Sequence, residues 1–190
     1  MNHSKTDVLD KEVLEGCLKG RRKHQEILYR QYYAFGMSIT LRYLPTREDA
    51  LEVLNDSFLR VFQNLDSFDI EKPFKTWFRK ILVNTSIDFL RKNSKLIMQG
   101  EPSVMENQWA IEPEFVKEMS GSEIIALFDG LPVQQRLVFN LYEVEGYNHE
   151  EIGGMLDVSP GTSRSSLSRA KKTLRTLYFK MISKERNEAV

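Results

Sequence analysis

Residues 148–175 read NHEEIGGMLDVSPGTSRSSLSRAKKTLR. Asn148 followed three residues later by Glu151 is a capping box, and it predicts the start of a short helix. Ile152, Met155 and Leu156 give that helix an apolar face. Asp157-Val158-Ser159 reads as a tight polar turn with one apolar pin. Ser159 then caps a second helix, with Pro160 at its first position, where a missing N–H costs nothing. The pair is a helix-turn-helix. In its second helix Leu167, Ala170, Leu174 and Leu177 recur at helical spacing as a stripe to be buried. Arg164, Ser165, Ser168, Arg169 and Lys172 fall on another face, and none is apolar. Small hydroxyls set between arginines let a helix sink into a major groove, bond phosphates and reach base edges. From Val158 to Lys184 there are seven Lys or Arg and no Asp or Glu. A basic run alone is as readily a solvated face. The capped helix and turn ahead of it move the reading to DNA.

The bulk composition sets the frame. A chain of 190 residues supports one or two small domains, and 41% apolar residues are enough for a core. The longest aliphatic and aromatic run, Ile124 to Phe128, is too short to span a membrane. The opening MNHSKTDVLDKEV carries acids and has no apolar stretch, unlike a signal peptide. Direct membrane insertion is therefore not expected, and the chain reads as cytoplasmic. Cys17 is alone, between Leu14 and Leu18, and reads as a small core residue. His3, His24 and His149 are isolated, so neither a metal site nor a cofactor is expected. The formal net charge is zero, but the charges are segregated. Residues 1–95 hold 17 basic and 13 acidic side chains, residues 96–122 one and five, and residues 123–190 nine of each. Neutrality overall does not argue against a nucleic-acid partner.

Working outward, nearly everything reads as helix. Leu28, Tyr32, Phe35 and Ile39 form one stripe, and Leu54, Phe58, Val61 and Leu65 a second. Phe74, Phe78, Ile81, Thr85 and Phe89 form a third. Together they predict one helical bundle, with a short helix over about Lys11–Lys19 beside it. Strand patterns are absent. From about Leu96 to Gly121 the pattern breaks: the stretch is acidic, lacks an apolar period and holds Gly100, Pro102, Pro113 and Gly121. Glu123–Asp129 and Pro132–Glu143 then read as two further helices. The expectation is an all-α chain of two helical domains: residues 1–95, a flexible acidic linker over 96–121, a second domain over 122–182, and a frayed tail over 183–190.

Two more clusters bear on function. FDIEKPFKTWFRKILVNTSIDFLRKNSK, residues 68–95, interleaves aromatic and basic side chains. Phe78 and Phe89 lie on the stripe meant for the core. Trp77 sits beside it, flanked by Lys75, Arg79 and Lys80. A cationic surface with an aromatic platform suits unpaired strands, on which stacking contributes roughly 1–3 kcal/mol per base. The Phe68–Phe74 loop, with Asp69 and Pro73, has the makings of a pocket for an extruded base. In REDALEVLNDSFLRVFQNL, residues 47–65, the face carrying Glu52, Asn55, Asp56 and Leu59 lies away from the core stripe. It reads as a solvated helix face or as a protein-docking surface.

Four segments in this order resemble the extracytoplasmic-function type of bacterial RNA polymerase sigma factor, over nearly the whole chain. CLKGRRKHQEILYRQYY is similar to the opening of that family's first domain, and DALEVLNDSFLRVFQNLDSFD to its core-binding helix. FKTWFRKILVNTSIDFLRK is similar to its −10 reading and melting helix. The stretch from Leu131 to Arg175 is similar to its −35 reading domain. The resemblance implies core RNA polymerase and promoter DNA as partners, with Asn55, Asp56 and Leu59 docking on the polymerase. It implies that the Phe68–Phe74 loop receives a flipped −10 base, and that Trp77, Arg79, Lys80, Asn84 and Arg91 hold the melted strand. Arg164, Ser165, Ser168, Arg169 and Lys172 would meet the −35 duplex. The acidic linker would thread toward the polymerase's RNA path, and an anti-sigma factor would be a further partner.

Departures from the family pattern are specific. Ser163 stands on the buried stripe where an apolar residue is usual, Ser166 where a basic one is common, Ser168 where a larger one is, and Asn55 where Gln is. An atypical or weakly bound −35 sequence follows from them. The alternative is a stand-alone helix-turn-helix regulator with an N-terminal dimerisation or ligand domain. Such a protein would not need the Trp77 cluster. An enzyme is not expected: there is no phosphate-binding glycine loop, nucleophile elbow or metal cluster.

Overall fold

The computed structural model describes residues 9–93 and 127–188. The predicted linker over 96–121 lies outside them. The chain is all-α, with no strand among the described residues, and it divides near Phe89 into two compact units.

The N-terminal unit holds α1 (Lys11–Leu18), α2 (Arg22–Tyr43), α3 (Arg47–Asn64) and α4 (Phe74–Lys92). Caps set the boundaries. The Asp10 carboxylate accepts from the Glu12 N–H at the head of α1, and Thr46 Oγ1 accepts from the Asp49 N–H at the head of α3. Each such cap contributes about 1 kcal/mol. The three predicted stripes meet in an aromatic core. Tyr32 lies 4.5 Å from Phe74, and Phe78 packs against Phe58 at 4.8 Å and Phe35 at 6.3 Å, centroid to centroid. Buried Cys17 is part of the packing, and burial pushes its thiol pKa up. Of the third stripe, Phe74, Phe78 and Thr85 are buried as expected. Leu82 and Leu90 are fully buried, whereas Ile81 and Phe89 are half-buried. Phe89 is therefore a rim residue rather than a core one.

Between α3 and α4 the chain makes a 3-10 turn, Leu65–Ser67, and then a loop. The Asp69 side chain builds that loop. Its Oδ1 accepts from the Glu71 N–H at 3.1 Å, and its backbone carbonyl accepts from the Lys72 N–H at 3.0 Å.

The C-terminal unit holds helical residues 127–129, α5 (Val133–Phe139), a π-helical segment (Asn140–Val144), α6 (His149–Leu156) and α7 (Pro160–Glu188). Leu127, Phe128 and Leu131 pack with Ala170 and Leu174 of α7, and Leu177 and Tyr178 close over that cluster. The predicted helix over Pro132–Glu143 is thus an α segment that widens into a π turn. Helix α7 runs on through Glu188, past the point where a tail was expected. Residues 162–188 contain neither Gly nor Pro to stop it.

The helix-turn-helix forms as read. The capping box is complete: the Glu151 N–H donates to Asn148 Oδ1 at 2.9 Å, and the Asn148 N–H donates to Glu151 Oε2 at 2.8 Å. Asp157 closes α6 in the left-handed region at φ 56°. The turn folds back so closely that a Cβ on Gly153 would sit 2.8 Å from the Val158 carbonyl oxygen. Only glycine fits there. Ser159 Oγ then accepts from the Thr162 N–H at 3.0 Å and opens α7.

Candidate nucleic-acid interface

At 100° per residue, Arg164, Ser165, Ser168, Arg169 and Lys172 span an arc of about 140° on α7. Ser163, Ser166, Leu167, Ala170 and Leu174 are buried on the opposite arc. Arg164, Ser168 and Lys172 are exposed, and Ser165 and Arg169 are half-buried. Ser165 Oγ donates to the Thr162 carbonyl at 3.0 Å. Arg164 makes only a long contact of 3.9 Å with Glu150, both well exposed, which is worth little and leaves the guanidinium able to move to a phosphate. The five residues therefore share one polar, net positive surface.

Ser163, the departure from the apolar stripe, has a physical account. It is fully buried, and its Oγ lies 2.9 Å from Nδ1 of His149 at the start of α6. The His149 ring stacks on Tyr142 at 4.5 Å and 20°. The hydroxyl thus replaces apolar packing with a directional tie between the two helices of the motif. In the sequence His149 reads as isolated. Its partner stands 14 residues away and is found only by folding the turn.

Burial lowers the His149 pKa, Arg164 and Lys171 lower it further, and Glu150 opposes them. Between the folded-state pKa and the ordinary value of 6.5, the unfolded chain binds the proton and the folded unit does not. Stability rises with pH across that window. The C-terminal unit should hold its full stability above about pH 7, lose part as pH drops below 6.5, and level off below the folded-state pKa. Urea melts of wild type and His149→Asn at several pH values test this. An Asn variant keeping the same acid limb would refute it.

In the N-terminal unit Trp77 is half-buried, held by Phe68 at 5.0 Å and Phe74 at 5.8 Å, while Phe68 and Phe74 meet edge-on at 5.5 Å. Phe74 is fully buried and Phe68 is 8% exposed. Neither presents a face to a base; they form the wall that fixes Trp77. Asp69 is exposed but committed to the loop turn. Lys80, Asn84 and Arg91 are exposed and lie within about 60° of Trp77 around α4. Arg79 is half-buried and about 160° from Trp77, on the packed side. Among the −10 candidates the fold brings together Trp77, Lys80, Asn84 and Arg91 and sets Arg79 apart.

On α3, Glu52, Asn55, Asp56 and Leu59 are all exposed on one face, Leu59 by 57%. The Tyr29 hydroxyl donates to Asn55 Oδ1 at 3.0 Å, so that side chain is held in place. Burial, with Tyr33 next, raises the Tyr29 pKa and keeps this donor protonated. Among the described residues no helix is long and apolar enough to cross a membrane, and no His, Cys, Asp and Glu cluster could hold a metal.

Residues 28–96 match the Sigma-70 region 2 family and residues 122–174 the Sigma-70, region 4 family. The ECF RNA polymerase sigma-E factor of Salmonella typhimurium (strain LT2) is 30% identical over 182 residues, covering 87% of this chain and 92% of that protein. The chain belongs to the ECF sigma factors. The ECF RNA polymerase sigma factor SigE of Mycolicibacterium smegmatis is 28% identical over 163 residues, 84% of this chain and 60% of that one. A structure of CnrH in complex with the cytosolic domain of CnrY aligns over 89% of this chain and 96% of that chain, at 18% identity and TM-score 0.46. As an ECF sigma factor the protein directs RNA polymerase to promoters. Sigma factors as a family are DNA-binding initiation factors rather than catalysts in themselves. No feature favours the stand-alone regulator.

Proposed function

We propose that this sigma factor opens promoters by strand capture at Trp77 while α7 holds the −35 duplex. The observation that carries the reading is the Trp77 ring, clamped by Phe68 and Phe74 beside exposed Lys80, Asn84 and Arg91. A clamped ring stacks on a base without losing rotamer freedom at that moment. The loop over Phe68–Phe74 shapes the site for the extruded base, with Phe68, Asp69 and Phe74 supporting rather than touching it. Arg79, on the packed side of α4, acts through the fold. Arg164, Ser165, Ser168, Arg169 and Lys172 meet the −35 major groove. Asn55, Asp56 and Leu59 dock on core polymerase. Opening costs about 1.4 kcal/mol of stacking per base step. One or two captured bases offset a few steps, so bubble completion falls to the polymerase. The acidic segment 96–121 occupies a cationic channel of the enzyme. The protein works in the cytoplasm, and an anti-sigma partner that covers its polymerase and DNA faces would silence it.

Run-off transcription on genomic fragments with bacterial core polymerase tests this. Specific transcripts should appear only when the protein is added. Leu59→Asp should lower holoenzyme assembly at least tenfold, because it places a charge where about 1.5–3 kcal/mol of apolar burial is expected. Arg169→Ala should assemble normally but lose promoter affinity by about 1–3 kcal/mol. Polymerase-independent binding to specific duplex DNA, with no transcript, would refute the reading.

A further inference from the structure

The turn between α1 and α2 carries Lys19, Arg21, Arg22 and Lys23, all exposed. Local structure does not explain them. Three of the four cations stand at the head of α2, the positive end of its dipole, where each costs rather than contributes. There is no acidic residue in the first turn of α2 and no side-chain cap on it. Lys19 reaches Glu15 only at 3.9 Å with both side chains well exposed, and Glu26 is taken by Arg30 at 2.6 Å. The turn itself is well defined. Gly20 sits at φ 67°, its N–H donates to the Cys17 carbonyl, and the Arg21 N–H donates to the Gly16 carbonyl at 3.0 Å.

Its place in the bundle is informative. Tyr29 of α2 meets Phe58 of α3 while Gly36 approaches Leu54, so the two helices run antiparallel. Tyr32 meets Phe74 and Phe35 meets Phe78, so α4 runs parallel to α2. The head of α2, the end of α3, the 3-10 turn and the Phe68–Phe74 loop therefore share one end of the bundle. Helix α1 packs against the same 3-10 turn.

We infer that Lys19, Arg21, Arg22 and Lys23 form a backbone clamp for promoter DNA, binding phosphodiesters next to the strand held at Trp77. This rests on the proposed strand capture. Charges at that end of the bundle would hold the strand in register without reading bases, as phosphate contacts do. A phosphate contact carries a signature that a base contact lacks. Each one neutralised on duplex DNA steepens the fall of log K with log salt by about 0.9, and on a single strand by about 0.7.

The test uses holoenzyme made from the full chain and core polymerase, on the genomic fragment that gives the run-off transcript. Affinity is measured from 50 to 200 mM salt for wild type and for the triple variant Arg21→Gln, Arg22→Gln, Lys23→Gln. The variant's slope should be shallower by about 2.1–2.7, so the ratio of wild-type to variant affinity should shrink by about 20- to 40-fold across that range. Discrimination against a fragment with an altered −10 element should not change. Arg21→Lys with Arg22→Lys should keep the wild-type slope, since charge and not shape carries the effect. An unchanged slope in the Gln variant, or a loss confined to holoenzyme assembly, overturns the clamp and leaves strand capture standing. Wild-type holoenzyme without promoter-specific binding overturns both.

Discussion

Phe78→Ala is expected to cost the N-terminal unit a large part of its stability. The ring is fully buried, with Phe58 at 4.8 Å, Phe74 at 5.6 Å, Phe35 at 6.3 Å and Tyr32 at 6.5 Å. It is the point where α2, α3 and α4 meet. Truncating a buried phenylalanine costs about 3–5 kcal/mol, because transfer energy is lost and the cavity relaxes only in part. A small domain has only about 5–15 kcal/mol to lose. In urea melts followed by circular dichroism the transition of this unit should move to much lower denaturant. The C-terminal unit has its own core around Leu127, Phe128 and Leu174, and its transition should stay in place. Polymerase binding should fall with the first transition. A shift below about 1 kcal/mol would mean that the bundle repacks around the gap, and that its register is not set at Phe78.

Trp77→Ala should behave in the opposite way: stable, assembled and defective. Its ring is half-buried, so truncation removes less packing than at Phe78. The neighbouring wall of Phe68 against Phe74 remains. Holoenzyme assembly and duplex −35 binding should match wild type. Strand capture should lose the stacking term, about 1–3 kcal/mol, which is about 5- to 150-fold in open-complex formation. Permanganate reactivity of unpaired thymines in the −10 region, followed in time, reads this directly. Trp77→Tyr should recover part of the rate, since a smaller ring still stacks. Full opening by the Ala variant would place capture elsewhere on α4.

Much of this fold is legible in the chain because its signals are local. A capping box needs only Asn148 and Glu151, and a helix start needs only Ser159 before Pro160. The apolar stripes need only spacing. The parts that were not legible depend on long-range geometry. Phe68 and Phe74 carry the same chemistry as Trp77, and only the packed bundle shows that two of the three rings are wall. Arg79 and Lys80 are neighbours in sequence, yet one helical step puts them on different faces. Of the stripe on α4, Phe74, Phe78 and Thr85 are buried while Ile81 and Phe89 stay half-buried, because the buried face of the helix is broad and is centred nearer Leu82 and Leu90. The π turn at Asn140–Val144 changes the period itself, which a fixed 3.6-residue template cannot register. Ser163 reads as a flaw in a stripe until His149 is beside it.

Helix α7 carries the arginines proposed to face DNA near its beginning and the apolar anchors Ala170, Leu174 and Leu177 further along the same uninterrupted rod. Folding and recognition in this unit are therefore linked quantities. Any ligand held only by the ordered rod adds RT ln(1 + [L]/Kd) to its stability, about 2.7 kcal/mol at one hundred times Kd. The converse holds as well. A substitution at Leu127 or Leu174, in the core of the unit, lowers apparent promoter affinity by the fraction of molecules it unfolds. In a genetic screen for promoter-binding defects, such core positions would be recovered beside the arginines and would be told apart from them only by their rescue at low temperature.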